Sequence, residues 1–166
     1  MAEEMLTATS PKAVQRLIEE WSAFTPASRA LDDITPEQAM TKLEGWPYSI
    51  AEQVAHMLFW QRNNLETIET GVEPEVLTEA ESWPTVVVGD WPRLKDEFLS
   101  GLEQSRQIAS DPENLARPIL EGRLSVGLRL VWFTGHDAYH LGQVVLMRRL
   151  LGAWPPPGGG TWPRSF

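Results

Sequence analysis

The sequence contains no cysteine among its 166 residues. Disulfides, thiolate metal sites, zinc fingers and cysteine nucleophiles are therefore excluded together. Long apolar runs are also missing, and the acidic opening MAEEMLTATS lacks the basic start of a secretory signal. We accordingly expect a cytoplasmic protein that does not insert into a membrane.

Basic residues are scarce, since 14 lysines and arginines stand against 23 aspartates and glutamates, for a net charge of −9. Because nucleic-acid-binding proteins carry a basic surface against the phosphate backbone, this balance predicts no nucleic-acid partner. The apolar fraction of 42% is ordinary for a globular protein, and a chain of this length can bury a core. We expect one domain over residues 1–166, with a Pro/Gly-rich tail over 154–166.

Alternating strand patterns are lacking too, apart from the short run 85–88. The chain carries helix signals instead. We expect helices after Ser10, after Ser49 with an end at Gly71, after Asp90 through about Ala109, and after Ser125 with an end at Gly152, and a short helix after Thr35. Residues 72–89 and 110–124 are expected to be loops. Four sizeable helices and a shorter one predict an all-α bundle.

Histidine is rare, and its three positions are informative. His136 and His140 lie four residues apart in the last long helix, so they stack one turn apart on one face and can take adjacent corners of a metal's coordination sphere. A bundle metal site normally draws a further ligand from a facing helix. The remaining histidine, His56, lies in the other strongly apolar helix but away from the centre of its core stripe. We therefore expect a metal site in a cleft between helices, partly open to solvent.

Three neutral imidazoles would leave a divalent ion with an open position, which is the arrangement of catalytic metal sites. A water molecule there can ionise near neutral pH, and a small-molecule thiol would ionise in the same way. The constellation allows hydrolysis, or transfer of a metal-activated exogenous thiol to a small-molecule substrate. The catalytic group would be the metal-bound water or thiol. Three imidazoles suit zinc, nickel, copper and iron alike.

Two alternatives have to be weighed against such an enzyme. The string H-D-A-Y-H resembles the H-E-x-x-H of zinc proteases, but Asp137 replaces the glutamate base and no histidine follows His140. We expect Asp137 to be solvated or salt-bridged. The other alternative is a non-enzymatic, stress-related or structural metal-binding bundle. It is disfavoured because a structural metal is normally closed by a fourth protein ligand.

Residues within one turn of the histidines are expected to support the site and line its pocket: Gln53, Trp60, Trp132 and Gln143. Gln143 can hydrogen-bond a ligand imidazole or the metal-bound water, or form an ordinary amide bond between helices. Both tryptophans can form the pocket wall, although the default position for such large side chains is the core.

Other residues that bear on the site are glycines in the last helix and tryptophans in loops. Gly135 and Gly142 share one side of the helix, which suggests close approach by another helix of the same chain or of a second copy. Trp46, Trp83 and Trp154 stand beside prolines in loops and can rim a cleft.

Two segments carry a family resemblance. The run W-P-Y-S-I-A-E-Q-V-A-H-M-L-F-W (46–60) is followed in a later helix by H-D-A-Y-H-L-G-Q-V-V-L-M-R-R-L-L-G (136–152). A histidine after a W-S-I-type helix start, combined with a later H-x-x-x-H and G-Q, resembles the DinB/YfiT-like family of bacterial metalloproteins. His56, His136 and His140 match the three metal ligands of that family. Leu141 departs from the pattern, since the family often has arginine there.

The resemblance implies a four-helix bundle with an unusual up-down-down-up connection, a mononuclear Zn²⁺ or Ni²⁺ site, and frequent homodimers. Members include thiol-dependent transferases that use bacillithiol, mycothiol or glutathione-like cosubstrates, a thiol-dependent maleylpyruvate isomerase, and proteins called hydrolases. The resemblance predicts an S-transferase or hydrolase. Such an enzyme would bind one divalent metal, work as a homodimer and take a small-molecule thiol cosubstrate.

Overall fold

The computed structural model describes residues 7–19, 24–75 and 78–159. Its helices are α1 (Pro11–Glu19), α2 (Ala27–Ala30), α3 (Pro36–Met40), α4 (Ile50–Thr70), α5 (Trp91–Ile108), α6 (Pro112–Ala116) and α7 (Val126–Leu150). Two-residue strands β1 (Pro118–Ile119) and β2 (Leu124–Ser125) pair antiparallel, and 3₁₀ turns span Glu79–Ser82 and Val88–Asp90. The predicted all-α class is confirmed.

The helix starts follow the capping signals of the sequence. Ser49 accepts a hydrogen bond from the Glu52 amide while the Glu52 side chain accepts from the Ser49 amide, so this capping box fixes the first turn of α4. Gly71 ends α4 in the left-handed conformation, with φ of 77°. Ser125 caps α7 by accepting from Leu128. The two helices that carry the histidines therefore begin where local chemistry predicts.

The four long helices form a bundle in which α1 and α4 occupy opposite corners, since each packs against both α5 and α7. Helix α4 runs antiparallel to α7, because Gln53 meets Gln143 whereas Trp60, two turns later, meets His136. The start of α1 lies at the start of α7, where the amide of Ala8 donates to Ser125.

Helices α4 and α5 run in the same direction. Ala55, early in α4, lines a cavity with Leu94, early in α5, whereas Leu65 lines another with Gln104, one turn from the end of α5. In chain order the long helices therefore run up, down, down and up, as the resemblance implies. Because α4 and α5 are parallel neighbours, residues 71–90 must return along the length of the bundle.

A continuous apolar core fills the bundle, and its most completely buried members include Ile50, Val54, Met57, Phe98, Val144 and Met147. Arg148 is also buried, at 1% exposure, and its guanidinium donates to the carbonyls of Ala30 and Ala153. No helix in the described part of the chain combines the length and apolarity needed to cross a membrane.

Several local predictions are wrong. Asp90 makes no capping bond to α5 and instead accepts from the amide of Val87. The expected loop 110–124 contains α6 and most of the small hairpin. The close approach suggested at Gly135 and Gly142 does not come from the described residues of the same chain, because an added Cβ there would meet nothing within 4 Å, and approach by a second copy stays a prediction. The expectations for Trp21 and for residues 160–166 lie outside the described residues.

Candidate metal centre

Facing turns of α4 and α7 bring the three histidines together. The Nε2 atoms of His56 and His136 lie 3.3 Å apart. The ring of His140 has its centroid 4.7 Å from that of His56 and 4.6 Å from that of His136. One nitrogen from each ring belongs to a group whose atoms all lie within 4.8 Å of one another. A single ion can therefore be reached by all three side chains.

Two of the histidines have fixed ring orientations. His56 donates its Nδ1–H to the carbonyl of Ser82 at 2.7 Å, and His140 donates its Nδ1–H to Oε1 of Gln53 at 2.6 Å. The Nε2 atom of each ring then carries a lone pair. Gln53 in turn donates to Oε1 of Gln143 at 2.9 Å. Both glutamines thus lie behind His140, as expected for groups that orient a metal ligand.

His136 is the half-buried member of the cluster, with 31% of its side chain accessible, whereas His56 and His140 are buried. Its Nδ1 has no hydrogen-bond partner among the described residues. Its Nε2 faces the lone pair of His56 Nε2, so it must either carry the proton itself or share a cation with His56. A cation at this point satisfies both nitrogens, so the donor set fits a divalent metal.

Asp137 departs from the sequence expectation, because it is neither solvated nor salt-bridged. The residue is 3% exposed, and neither carboxylate oxygen has a hydrogen-bond partner among the described residues. Its Oδ1 lies 3.6 Å from Nδ1 of His136. Burial raises the pKa of this carboxyl group well above its usual range. A positive charge among the histidines would favour the ionised form and give that charge a neighbouring anion.

The histidines are held in the neutral form that binds metals. Burial is the main cause that lowers the pKa of His56 and of His136. For His140, burial followed by the neighbouring histidines lowers the pKa to about 4. Each ring is therefore uncharged near pH 7, so a cation does not have to displace an imidazolium proton before it enters.

An aromatic stack covers His56 on the side of the crossing segment 71–90. Trp83 stacks on His56 with ring centroids 3.9 Å apart, and Tyr48 stacks on Trp83 with centroids 3.5 Å apart. The sequence placed Trp83 at the rim of a cleft only because it stands beside a proline in a loop. Two groups at the site were not predicted from the sequence. One is Tyr48, in the residues before α4, and the other is the carbonyl of Ser82, which no side-chain pattern can reveal.

A cavity of about 290 Å³ lies beside His136, and its lining includes both Trp60 and Trp132. The edge of Trp60 approaches His136 with centroids 6.5 Å apart. Trp132 is 52% exposed, so the default expectation of a core position is wrong for it. A larger cavity of about 420 Å³ lies on the α5 side of α4 and contains none of the histidines.

Among the described residues, no carboxylate or further histidine joins the cluster as a fourth ligand. The sequence model of the DinB superfamily matches residues 7–144, which cover all three histidines and most of the bundle. The chain belongs to the DinB superfamily. Neither the curated proteins nor the solved structures contain a significant match to it. This DinB protein has Leu141 buried in the core, so that position directs no charge toward the histidines.

Proposed function

We propose that this DinB protein is a metal-dependent enzyme in which His56, His136 and His140 hold one Zn²⁺ or Ni²⁺ ion. The observation that carries the proposal is the convergence of three neutral imidazoles with no fourth protein ligand among the described residues. Structural sites close the coordination sphere, whereas catalytic sites leave a position for a small molecule. The preference for zinc or nickel rests on the family resemblance.

The reaction that we propose is transfer of a small-molecule thiol, or hydrolysis, on a small substrate that enters beside His136. A bound divalent ion supplies a Lewis acid that lowers the pKa of a water molecule or thiol at its open side. The chain has no cysteine, so a thiol must come from a cosubstrate. Trp60 and Trp132 form apolar walls at the entrance, while Trp83 covers the opposite side of His56.

The experiment begins with elemental analysis of the purified protein and of the double variant His136→Ala with His140→Ala. We expect one equivalent of metal in the wild type and none in the double variant. Gln104→Ala, at an exposed position of α5, serves as the control and should keep its metal. Equal metal content in the wild type and the double variant would overturn the proposed site.

The two chemistries are separated with the cobalt-substituted protein. Titration with glutathione, cysteine or another small thiol should produce a sulfur-to-cobalt charge-transfer absorption if the open side takes thiols. A spectrum that no thiol perturbs would eliminate the transferase version and leave hydrolysis. The double variant loaded with the same cobalt concentration controls for thiol binding to free metal.

A further inference from the structure

We propose that the cavity of about 420 Å³ between α4, α5 and the crossing segment 71–90 is a second ligand site, which binds a small primary amine with an apolar body. The cavity contains none of the three histidines, so the proposal goes beyond the proposed function and does not depend on the metal. Its volume lies within the range of about 300–1,000 Å³ that is usual for small-molecule sites.

The buried residues that line this cavity, which we call its floor, are apolar with one exception. Ala55 and Leu58 of α4 and Leu94 of α5 are buried lining residues, and the half-buried Phe59 adds an aromatic ring. Ligand sites of this kind hold the apolar part of a small molecule, while a few polar groups set its orientation. The floor therefore favours a ligand with an apolar body.

The exception in the floor is Asn63, whose side chain lacks a partner. The residue is 6% exposed, and its Oδ1 atom has no hydrogen-bond partner among the described residues. An unpaired buried oxygen destabilises the folded protein, so it indicates that a donor is missing. The terminal torsion of an asparagine is broad, and a small turn of the amide can direct Oδ1 to a donor in the cavity. A ligand that carries N–H groups would supply this donor.

The rim of the cavity, formed by its exposed lining residues, carries unpaired negative charge. Glu66 of α4 and Glu75 and Glu81 of the crossing segment are all exposed and line the cavity. None of the three forms an ion pair with a lysine or arginine in the described part of the chain. Because carboxylates around a cleft raise the local concentration of cations, this rim favours a cationic ligand over an anionic one.

The two arginines that line the cavity already have carboxylate partners. Arg62 pairs with Glu97, and Arg93 pairs with both Glu97 and Asp90. Their positive charge is therefore balanced close to where it stands, and the net charge of −9 for the whole chain has the same sign as the rim. The unpaired glutamates thus determine which charge a ligand meets as it enters.

The arrangement suits an organic cation better than a metal ion. Among the described residues, the histidine cluster is the only group of three or more histidines and carboxylates whose ligand atoms lie close enough to share one ion. The glutamates of the rim therefore do not converge on a metal. An ammonium group has three N–H donors for Oδ1 of Asn63 and for the carboxylates, and its apolar body matches the floor.

A titration followed by NMR tests the proposal, with 2-phenylethylamine as the probe and 2-phenylethanol and 3-phenylpropionate as its neutral and anionic counterparts. We expect the amine to shift the amide signals of Leu58, Asn63 and Leu94 in a saturable way. It should bind at least about tenfold more tightly than the alcohol, and the propionate should not shift these signals. The double variant His136→Ala with His140→Ala should bind the amine equally well, so a failure of the proposed metal centre would leave this result unchanged.

Variants then locate the bound amine. Asn63→Leu removes the unpaired oxygen, so it should weaken amine binding at least about tenfold while its Tm is no lower than that of the wild type. Glu66→Gln combined with Glu81→Gln should weaken binding as well, through the loss of charge at the rim. The matched control combines Glu69→Gln with Glu103→Gln, which removes the same charge at exposed positions outside the cavity and should leave binding unchanged. Circular dichroism establishes that each variant is folded.

Four results would overturn the proposal. The first is the absence of saturable shifts at the cavity with the amine, and the second is equal affinity for the amine and the alcohol, since the charge of the rim would then have no effect. The third is that magnesium chloride at the same ionic strength reproduces the shifts, which would mean a general attraction of cations to an acidic protein. The fourth is amine binding that neither Asn63→Leu nor the Glu66–Glu81 variant changes, because the amine must then bind elsewhere.

Discussion

At the scale of single residues, the hydrogen bond between Gln53 and His140 governs how well the candidate centre is organised. Gln53 is 2% exposed, and its two side-chain atoms link Nδ1 of His140 to Oε1 of Gln143. Removal of such an orienting group typically costs about 10–100-fold in metal affinity. Gln53 therefore determines the direction of the Nε2 lone pair of His140, although it is not itself one of the candidate metal ligands.

We predict that Gln53→Leu weakens zinc binding by about 10–100-fold. Leucine preserves the volume but leaves the Nδ1–H of His140 without an acceptor, so the ring is free to turn. Gln143→Leu should have a smaller effect, since it acts only through Gln53. Competition against a chromophoric chelator measures both affinities. Unchanged affinity in Gln53→Leu would show that the orientation of His140 is fixed by packing instead.

Asp137 provides a second prediction, which concerns pH. Burial raises the pKa of the Asp137 carboxyl group in the folded protein above its value in the unfolded chain, which is about 3.9. At a pH between these two pKa values, the folded protein holds a proton that the unfolded chain releases. The stability contributed by this group is therefore lost as pH rises through that window. Asp137→Asn cannot ionise, so in metal-free protein its stability relative to wild type should increase with pH.

The unfolding free energy of Asp137→Asn relative to wild type should increase by up to about 1.4 kcal/mol for each pH unit between the two pKa values. Denaturant unfolding of chelator-treated wild type and Asp137→Asn at several pH values between 4 and 8 measures it. Asp96→Asn, at an exposed position of α5, is the matched control. A stability difference that is constant with pH would mean that the buried carboxyl group does not titrate as burial predicts.

At the scale of elements, the sequence predicted those features that depend on neighbours a few residues away. The capping boxes at Thr35 and Ser49 and the cap at Ser125 are confirmed, because each bond closes within three residues. The error at Asp90 has a local cause as well: the side chain turns back to the amide of Val87 and leaves the α5 amides uncapped.

The parts of the site that the sequence could not predict come from distant segments. The spacing of His136 and His140 is a helical signal, but Trp83 reaches His56 only because residues 71–90 cross the bundle between two parallel helices. The burial of Asp137 likewise depends on which way α7 is turned in the bundle. A residue pattern along one helix cannot specify either of these tertiary arrangements.

Packing of α5 against α4 leads to a prediction at the same scale. Gly101 lets the α5 backbone approach the buried side chain of Gln61, which donates to the carbonyl of Phe98 at 3.0 Å. Gly101→Ala would place a Cβ 2.0 Å from Oε1 of Gln61, so the amide must move and lose its bond. We expect a loss of about 1–3 kcal/mol in unfolding free energy.

Ser100→Ala changes the adjacent, exposed position of α5 and should leave the unfolding free energy within about 0.5 kcal/mol of wild type. Urea unfolding followed by circular dichroism compares the two variants. If Gly101→Ala is as stable as Ser100→Ala, α4 and α5 can move apart at that point without a loss of unfolding free energy. The close approach of the two helices would then not be required for stability.

At the scale of the whole molecule, metal binding and folding should be coupled because the ligands come from distant parts of the chain. His56 and His136 are 80 residues apart in sequence, and they meet only when α4 and α7 pack antiparallel. The unfolded chain cannot present the three imidazoles together, so a bound ion stabilises the folded state by mass action.

We predict that zinc at about 100 times its dissociation constant stabilises the wild type by about 2.7 kcal/mol, which corresponds to a rise of about 5–10 °C in Tm. The double variant His136→Ala with His140→Ala should show no such rise under the same conditions. Differential scanning calorimetry across a zinc series measures both. The 23 acidic residues offer other places for a cation to bind, so an equal rise in the two proteins would assign the stabilisation to surface carboxylates. A rise confined to the wild type would assign the stabilisation to an ion held by His136 and His140 of α7.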